Sequence, residues 1–252
     1  MAFSKGWPRI LISFDPMLAL ALGAVFLGGL SRGFTGFGAA LIIIPALIIV
    51  YGPVPAVVLM SLIEVPGVLQ LVRTAIREAD WRALAPLCVA ASITIPIGAW
   101  SLAVFDAETT RRFIAAIVVL FAVLIATGWR YKGEITKSIS VAIGTVSGFC
   151  SGVASLGGPP VVMFLLAKGS NAAQTRAGIV AYFSLAMVLR LAAFGWHDLY
   201  SQDALLLSLL MAPVYMAGIW IGSHFFKGAS ETLFRRVVVA LVLVMGVIAL
   251  VK

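Results

Sequence analysis

The stretch LSRGFTGFGAALIIIP, residues 30–45, sets three glycines (Gly33, Gly36, Gly38) and a fixed cation, Arg32, into an otherwise continuous apolar run. A lipid-facing helix gains nothing from either feature, since glycine weakens a helix and a guanidinium is costly in hydrocarbon. The surrounding run extends from about residue 17 to 51, or 35 residues. A bilayer core about 30 Å thick is crossed by about 20 residues of helix. This run is too long to cross once and too short to cross twice. A second run, about 139–167 and 29 residues long, poses the same problem and contains SGFCSGVASLGGPPVV at 147–162.

Composition fixes the solvent of the fold. Hydrophobic residues make up 62% of the 252 and charged residues 11%. A soluble chain of this length cannot bury that much apolar surface, so an all-α integral membrane protein is expected. The net charge of +8 is carried mostly by Lys and Arg in short gaps between apolar runs, as topology determinants are. No basic patch interleaved with aromatics points to nucleic acid. Cys88 and Cys150 both lie inside apolar runs, so neither a disulfide framework nor a metal centre is expected, and no cofactor is implied. The N-terminal MAFSKGWPRILISFDP has its apolar core cut by Asp15 and Pro16, which favours an amphipathic lead-in over a cleaved signal peptide.

Eight apolar runs lie at about 17–51, 54–73, 82–104, 112–129, 139–167, 175–195, 203–226 and 235–251. The first and fifth match one another. A shift of 115 places Gly29 on Gly144, Gly33 on Gly148, Phe34 on Phe149 and Pro45 on Pro160. A shift of 124 places Gly98 on Gly222, Arg111 on Arg235 and Arg112 on Arg236. The chain therefore reads as one transmembrane domain, 1–252, of two related halves at about 17–130 and 139–252. Each half would hold a broken or re-entrant helix pair and three transmembrane helices. If runs one and five each cross once, loop cations divide 9 against 7 between the two sides. If each enters and returns, they divide 5 against 11, which the positive-inside rule prefers. The halves would then be inverted, with both termini on the non-cytoplasmic side, an architecture found in secondary transporters.

Interrupted backbone at membrane depth survives only inside protein or against a cavity. The first segment is expected to break near Gly36–Gly38, the second near Gly157–Gly158. Pro159 and Pro160 suit the first turn of a restarting helix. A helix that begins mid-membrane points unpaired N–H groups and a positive dipole end at its break. Two such ends make an anion site with few formal charges. The candidate substrate-binding residues are Arg32, Thr35, Gly36, Phe37, Gly38, Ala39, Ser155, Leu156, Gly157, Gly158 and Pro159. Gly29, Gly33, Gly144, Gly148 and Gly152, spaced by four, are assigned to close helix packing instead.

Buried ionisable residues carry the remaining information. Arg32 lies near the expected turn, where it would raise the potential for an anion or cap backbone carbonyls. Glu64 lies about 15 Å into its run, beside Pro66 and Gly67, which suggest a local kink. It would relay protons or balance Arg32 or Arg190. Arg190 lies close to a helix end, so snorkelling is the first expectation for it. His197 and His224, also near helix ends, need no special role. A hydrolase is disfavoured: Ser147 and Ser151 precede glycines but neither sits in a G-x-S-x-G elbow, and no H-E-x-x-H occurs. No catalytic residue is assigned.

These segments resemble the TauE/SafE sulfite-exporter family of bacterial and archaeal membrane transporters. The resemblance rests on GGLSRGFTGFGAALIIIP at 28–45, SGFCSGVASLGGPPVVMFLL at 147–166, TRAGIVAYF at 175–183 and ADW at 79–81. It implies transport, commonly export, of small sulfur-containing anions such as sulfite, thiosulfate or organosulfonates across the cell (inner) membrane, driven by the proton gradient. The family's glycine-rich segments correspond to Thr35–Ala39 and Ser155–Pro160. The residues alone support a small anion, with the lipid bilayer as the other partner. They leave open a passive anion channel, a carrier of other small organic anions, and homo-oligomerisation.

Overall fold

A computed structural model of the chain describes residues 16–35, 38–127, 136–167 and 172–225. The N-terminal lead-in, Gly36, Phe37, Arg130, Lys132, Lys168, Lys227 and the eighth run with Arg235 and Arg236 lie outside the described residues. Within them the chain forms ten helices: α1 (Pro16–Thr35), α2 (Ala39–Tyr51), α3 (Pro53–Ile63), α4 (Val65–Glu78), α5 (Trp81–Val104), α6 (Ala107–Thr127), α7 (Lys137–Ala154), α8 (Gly158–Ala167), α9 (Ala172–Trp196) and α10 (Gln202–Phe225). No strand occurs among the described residues.

Both anomalous runs are interrupted. The first divides into α1 and α2, with Gly38 at φ 88° between them. The second divides into α7 and α8 across Ser155–Gly157. The run expected as a single kinked span also divides, into α3 and α4, which meet at Glu64. Pro66, one residue into α4, lacks the N–H that would bond the Leu62 carbonyl, so the helix loosens there.

Four helices, α1, α5, α9 and α10, are long and apolar enough to cross a membrane. They turn apolar side chains outward: Val89, Ile93, Ile97, Trp100 and Val104 form an exposed stripe along α5. The short helices are placed the other way. From Leu41 to Ile48, α2 is buried throughout, as is α3 from Val57 to Ser61. Helices too short to span thus sit inside protein, where their ends can find partners.

Glycine sets the two closest helix pairs. A Cβ on Gly29 or Gly33 of α1 would strike the carbonyl oxygens of Tyr215 or Ile219 on α10, and one on Gly218 or Gly222 would strike those of Phe26 or Leu30. On the other side, Gly144 and Gly152 of α7 meet the Leu87 and Ile95 carbonyls of α5, and Gly98 of α5 meets that of Phe149. The expected packing glycines therefore do pack. The partners are exchanged between the halves: α1 lies on α10, and α7 lies on α5.

Candidate functional site

The first break ends in glycine geometry. Gly38 takes a left-handed φ of 88°, a conformation that costs other residues about 1–2 kcal/mol. Its carbonyl accepts from the Leu41 N–H at 3.2 Å, and no side chain caps the start of α2. The first N–H groups of α2 have no acceptor within their own helix and carry its positive dipole end.

The second break is built from side-chain hydroxyls. Ser155, at φ 54°, is a left-handed residue that is not glycine. Its N–H reaches the Ser151 carbonyl at 2.9 Å, and the Leu156 N–H reaches that of Cys150 at 3.2 Å, closing α7. The Ser155 hydroxyl lies 3.0 Å from that of Ser61 on α3, which holds the strained residue in place. Gly157 is pressed against α7, where a Cβ would meet the Ser147 carbonyl at 2.5 Å. The Ser147 hydroxyl donates to the Gly157 carbonyl and lies 2.7 Å from the Tyr182 hydroxyl. Pro159 and Pro160 have no N–H, so the unpaired backbone donors at this end are those of Gly157 and Gly158.

Between the breaks one carboxylate joins two guanidiniums. Glu64 Oε1 accepts from Arg32 Nη1, and Oε2 accepts from Arg190 Nη2 at 2.7 Å. Arg32 Nη1 also donates to the Tyr215 hydroxyl at 3.2 Å, and Arg190 Nη1 to the Ser151 hydroxyl at 3.0 Å. The expectation that Arg190 snorkels is overturned, because the residue is 1% exposed. It points into the protein because a buried carboxylate, 7% exposed, waits there. For Glu64 the pairing alternative holds, with both arginines at once. Two cations and one anion leave the cluster at +1.

A cavity of about 30 Å³ opens on this cluster. Where one water needs about 10–15 Å³ on this measure, that is room for about two. Its walls join Gly38–Leu41 from the start of α2, Ser155 and Leu156 from the second break, Gly158 and Pro159 from the start of α8, and Arg32, Glu64 and Phe183. Two helix N-termini and one side of an excess positive charge thus meet in a single small space.

The sulfite exporter TauE/SafE family model matches residues 21–248, nearly the whole chain and both breaks. The chain belongs to the TauE/SafE family. It is accordingly a multi-pass membrane protein of a transporter family. No curated protein and no solved structure matches it.

On this TauE/SafE chain the candidate residues separate by position. Arg32, Gly38, Ala39, Ser155, Leu156, Gly158 and Pro159 line this cavity, and Gly157 is packed against Ser147. Thr35 ends α1, but its side chain, like all of Gly36 and Phe37, lies outside the described residues. Sequence reasoning missed Phe183, whose ring stands 3.1 Å from a Cβ placed on Gly158. It also missed Tyr215, Ser151, Ser61 and Tyr182, the polar groups that hold the arginines and the second break. Tyr182 and Phe183 belong to TRAGIVAYF, which carried the resemblance but was given no role. Among the described residues no group of three or more His, Cys, Asp or Glu comes together.

Proposed function

We propose that the chain is a secondary carrier that exports small sulfur-containing anions, sulfite or organosulfonates, with the anion bound in the cavity between α2 and α8. The observation that carries this reading is that both helix starts and Arg32 line the same space. Backbone N–H groups supply geometry, the dipole ends supply partial charge, and Arg32 supplies a charge-assisted donor. Thr35, Gly36 and Phe37, the remaining residues of the first glycine-rich segment, belong to the same proposed binding set.

In this reading the halves are inverted repeats and each broken pair enters and returns from one side. The exchanged packing of α1 on α10 and α7 on α5 supports a two-fold relation, as do the glycines matched at the two shifts. The cation count supports both termini outside the cytoplasm, and the family supports a bacterial or archaeal inner membrane. Access alternates as one body rocks on the other, and Glu64 is the group through which a proton gradient would act.

The test is equilibrium binding of sulfite and of a short alkylsulfonate to purified protein. Arg32→Ala removes a charge-assisted hydrogen bond of about 1.5–3 kcal/mol, so binding weakens about ten- to a hundredfold. Gly158→Leu drives a side chain at Phe183 and closes the cavity. Unchanged affinity in both variants, with each inserted normally in the membrane, would defeat the assignment. Saturable exchange of labelled anion across proteoliposomes separates a carrier from a passive channel.

A further inference from the structure

We infer that the site is charge-balanced for one monoanion, and that a dianion enters only together with a proton taken up by Glu64. This rests on the anion site proposed above and goes beyond it by fixing the charge state of the substrate. Among the described residues the ion-paired cluster at the cavity holds two cations and one anion: Arg32, partly buried, and Glu64, buried, line the space, and Arg190, buried, stands behind Glu64. One carboxylate oxygen serves each guanidinium. An arriving anion can therefore take the place of Oε1 on Arg32 while Oε2 keeps Arg190, so the carboxylate is never stranded. A monoanion then brings the cluster from +1 to zero, and the site closes around a neutral set. A dianion brings it to −1 beside the buried Glu64 and Arg190, an excess that a protein interior resists.

Glu64 is placed to remove that excess. It lines the cavity itself, so a proton arriving with the anion from the same side can reach it. The titratable and charged groups facing it are Arg32 from α1, Arg190 from α9 and the Tyr215 hydroxyl of α10, which interacts with it through Arg32. A guanidinium has only donors and no site for a further proton, so the proton goes to the carboxylate. In the protonated state Oε1 and Oε2 release their claim on the arginines, and two guanidiniums face two negative charges. The balance is one dianion and one proton in, one dianion and one proton out. The dipole ends of α2 and α8 favour both kinds of anion and carry no net charge of their own.

The probes are methanesulfonate, a monoanion throughout the neutral range, and thiosulfate, a dianion there; sulfite takes up a proton near neutrality and is unsuitable. Both are titrated against purified full-length protein across roughly pH 6 to 8, with proton uptake followed in weak buffer. Methanesulfonate affinity is expected to be flat and to take up no proton. Thiosulfate affinity is expected to fall about tenfold per unit rise in pH, with about one proton taken up per anion bound. Glu64→Gln should flatten the thiosulfate profile and abolish the proton uptake. The comparison of two probes on the unaltered protein stands by itself if that variant does not fold. Thiosulfate binding that is flat in the unaltered protein overturns the charge rule. Proton uptake that persists in Glu64→Gln overturns the assignment to Glu64. If neither probe binds, the anion site falls and the charge rule with it, a result distinct from either failure above.

Discussion

One carboxylate between two guanidiniums holds only while its own charge is present. Removing Glu64 leaves Arg32 and Arg190 as uncompensated like charges, whereas removing Arg190 leaves a neutral Arg32–Glu64 pair. Glu64→Ala should therefore destabilise the protein by about 3–5 kcal/mol, the usual cost of orphaning buried charge. Arg190→Met should cost about 1.5–3 kcal/mol, the loss of charged hydrogen bonds to Glu64 and Ser151. Unfolding of the purified variants in detergent measures the order, and an Arg190 variant weaker than the Glu64 one would contradict it. At this scale the sequence is only partly legible. Glu64 was readable as half of a pair because an acid deep in an apolar run must have a partner. Arg190 was misread because its distance from the helix end says nothing about which way it faces. Ser151 and Tyr215 carried no signal, since a lone hydroxyl in a membrane helix is ordinary until its partner is seen.

At the scale of helices, the glycines of α1 have two different jobs. Gly23 has open space where a Cβ would stand, whereas at Gly33 a Cβ meets the Ile219 carbonyl of α10. Gly23→Ala should therefore raise stability by about 0.5–1 kcal/mol, the ordinary gain in a helix interior. Gly33→Ala should lower it by about 1–3 kcal/mol, because two backbones must move apart. Thermal midpoints of the two variants, expected on opposite sides of the parent, check this. Both breaks at this scale were legible because run length is a hard constraint: 35 and 29 residues fit no whole number of crossings. The division of α3 from α4 was visible only as a kink, because Pro66 loosens a helix without dictating how far it opens. The hydroxyl scaffold of the second break was not visible at all. Ser155 looks like any small residue, and its left-handed φ belongs to the turn that closes α7, while its hydroxyl partner Ser61 lies on a helix almost a hundred positions away.

For the molecule as a whole, the bodies that pack are not the halves of the sequence. One apolar cluster gathers α1, α2, α3, α6 and α10, with the ends of α5, α7 and α9 reaching into it. The other gathers α4, α5, α8 and α9 with the start of α7. The matched glycines lead the sequence to be read as two related halves, but a repeat in sequence cannot say which copy of a helix each partner chooses. Exchange of α1 and α7 between the halves follows from matching glycine faces, a property of surfaces. If access alternates as the two breaks move apart, that motion opens the contact between α3 and the second break. Ser61 and Ser155 face each other across it with hydroxyls 3.0 Å apart. A Ser61→Cys, Ser155→Cys double variant, made with Cys88 and Cys150 replaced by alanine, places two thiols within reach of a disulfide. Oxidation should abolish anion exchange in proteoliposomes and reduction should restore it, with each single variant insensitive to both treatments. Because the reduced double variant carries the same side chains, loss on oxidation alone isolates motion from any change in the lining of the site. Exchange that continues through a formed disulfide would mean that the two breaks do not separate during transport, and that the anion passes a fixed constriction as it would in a channel.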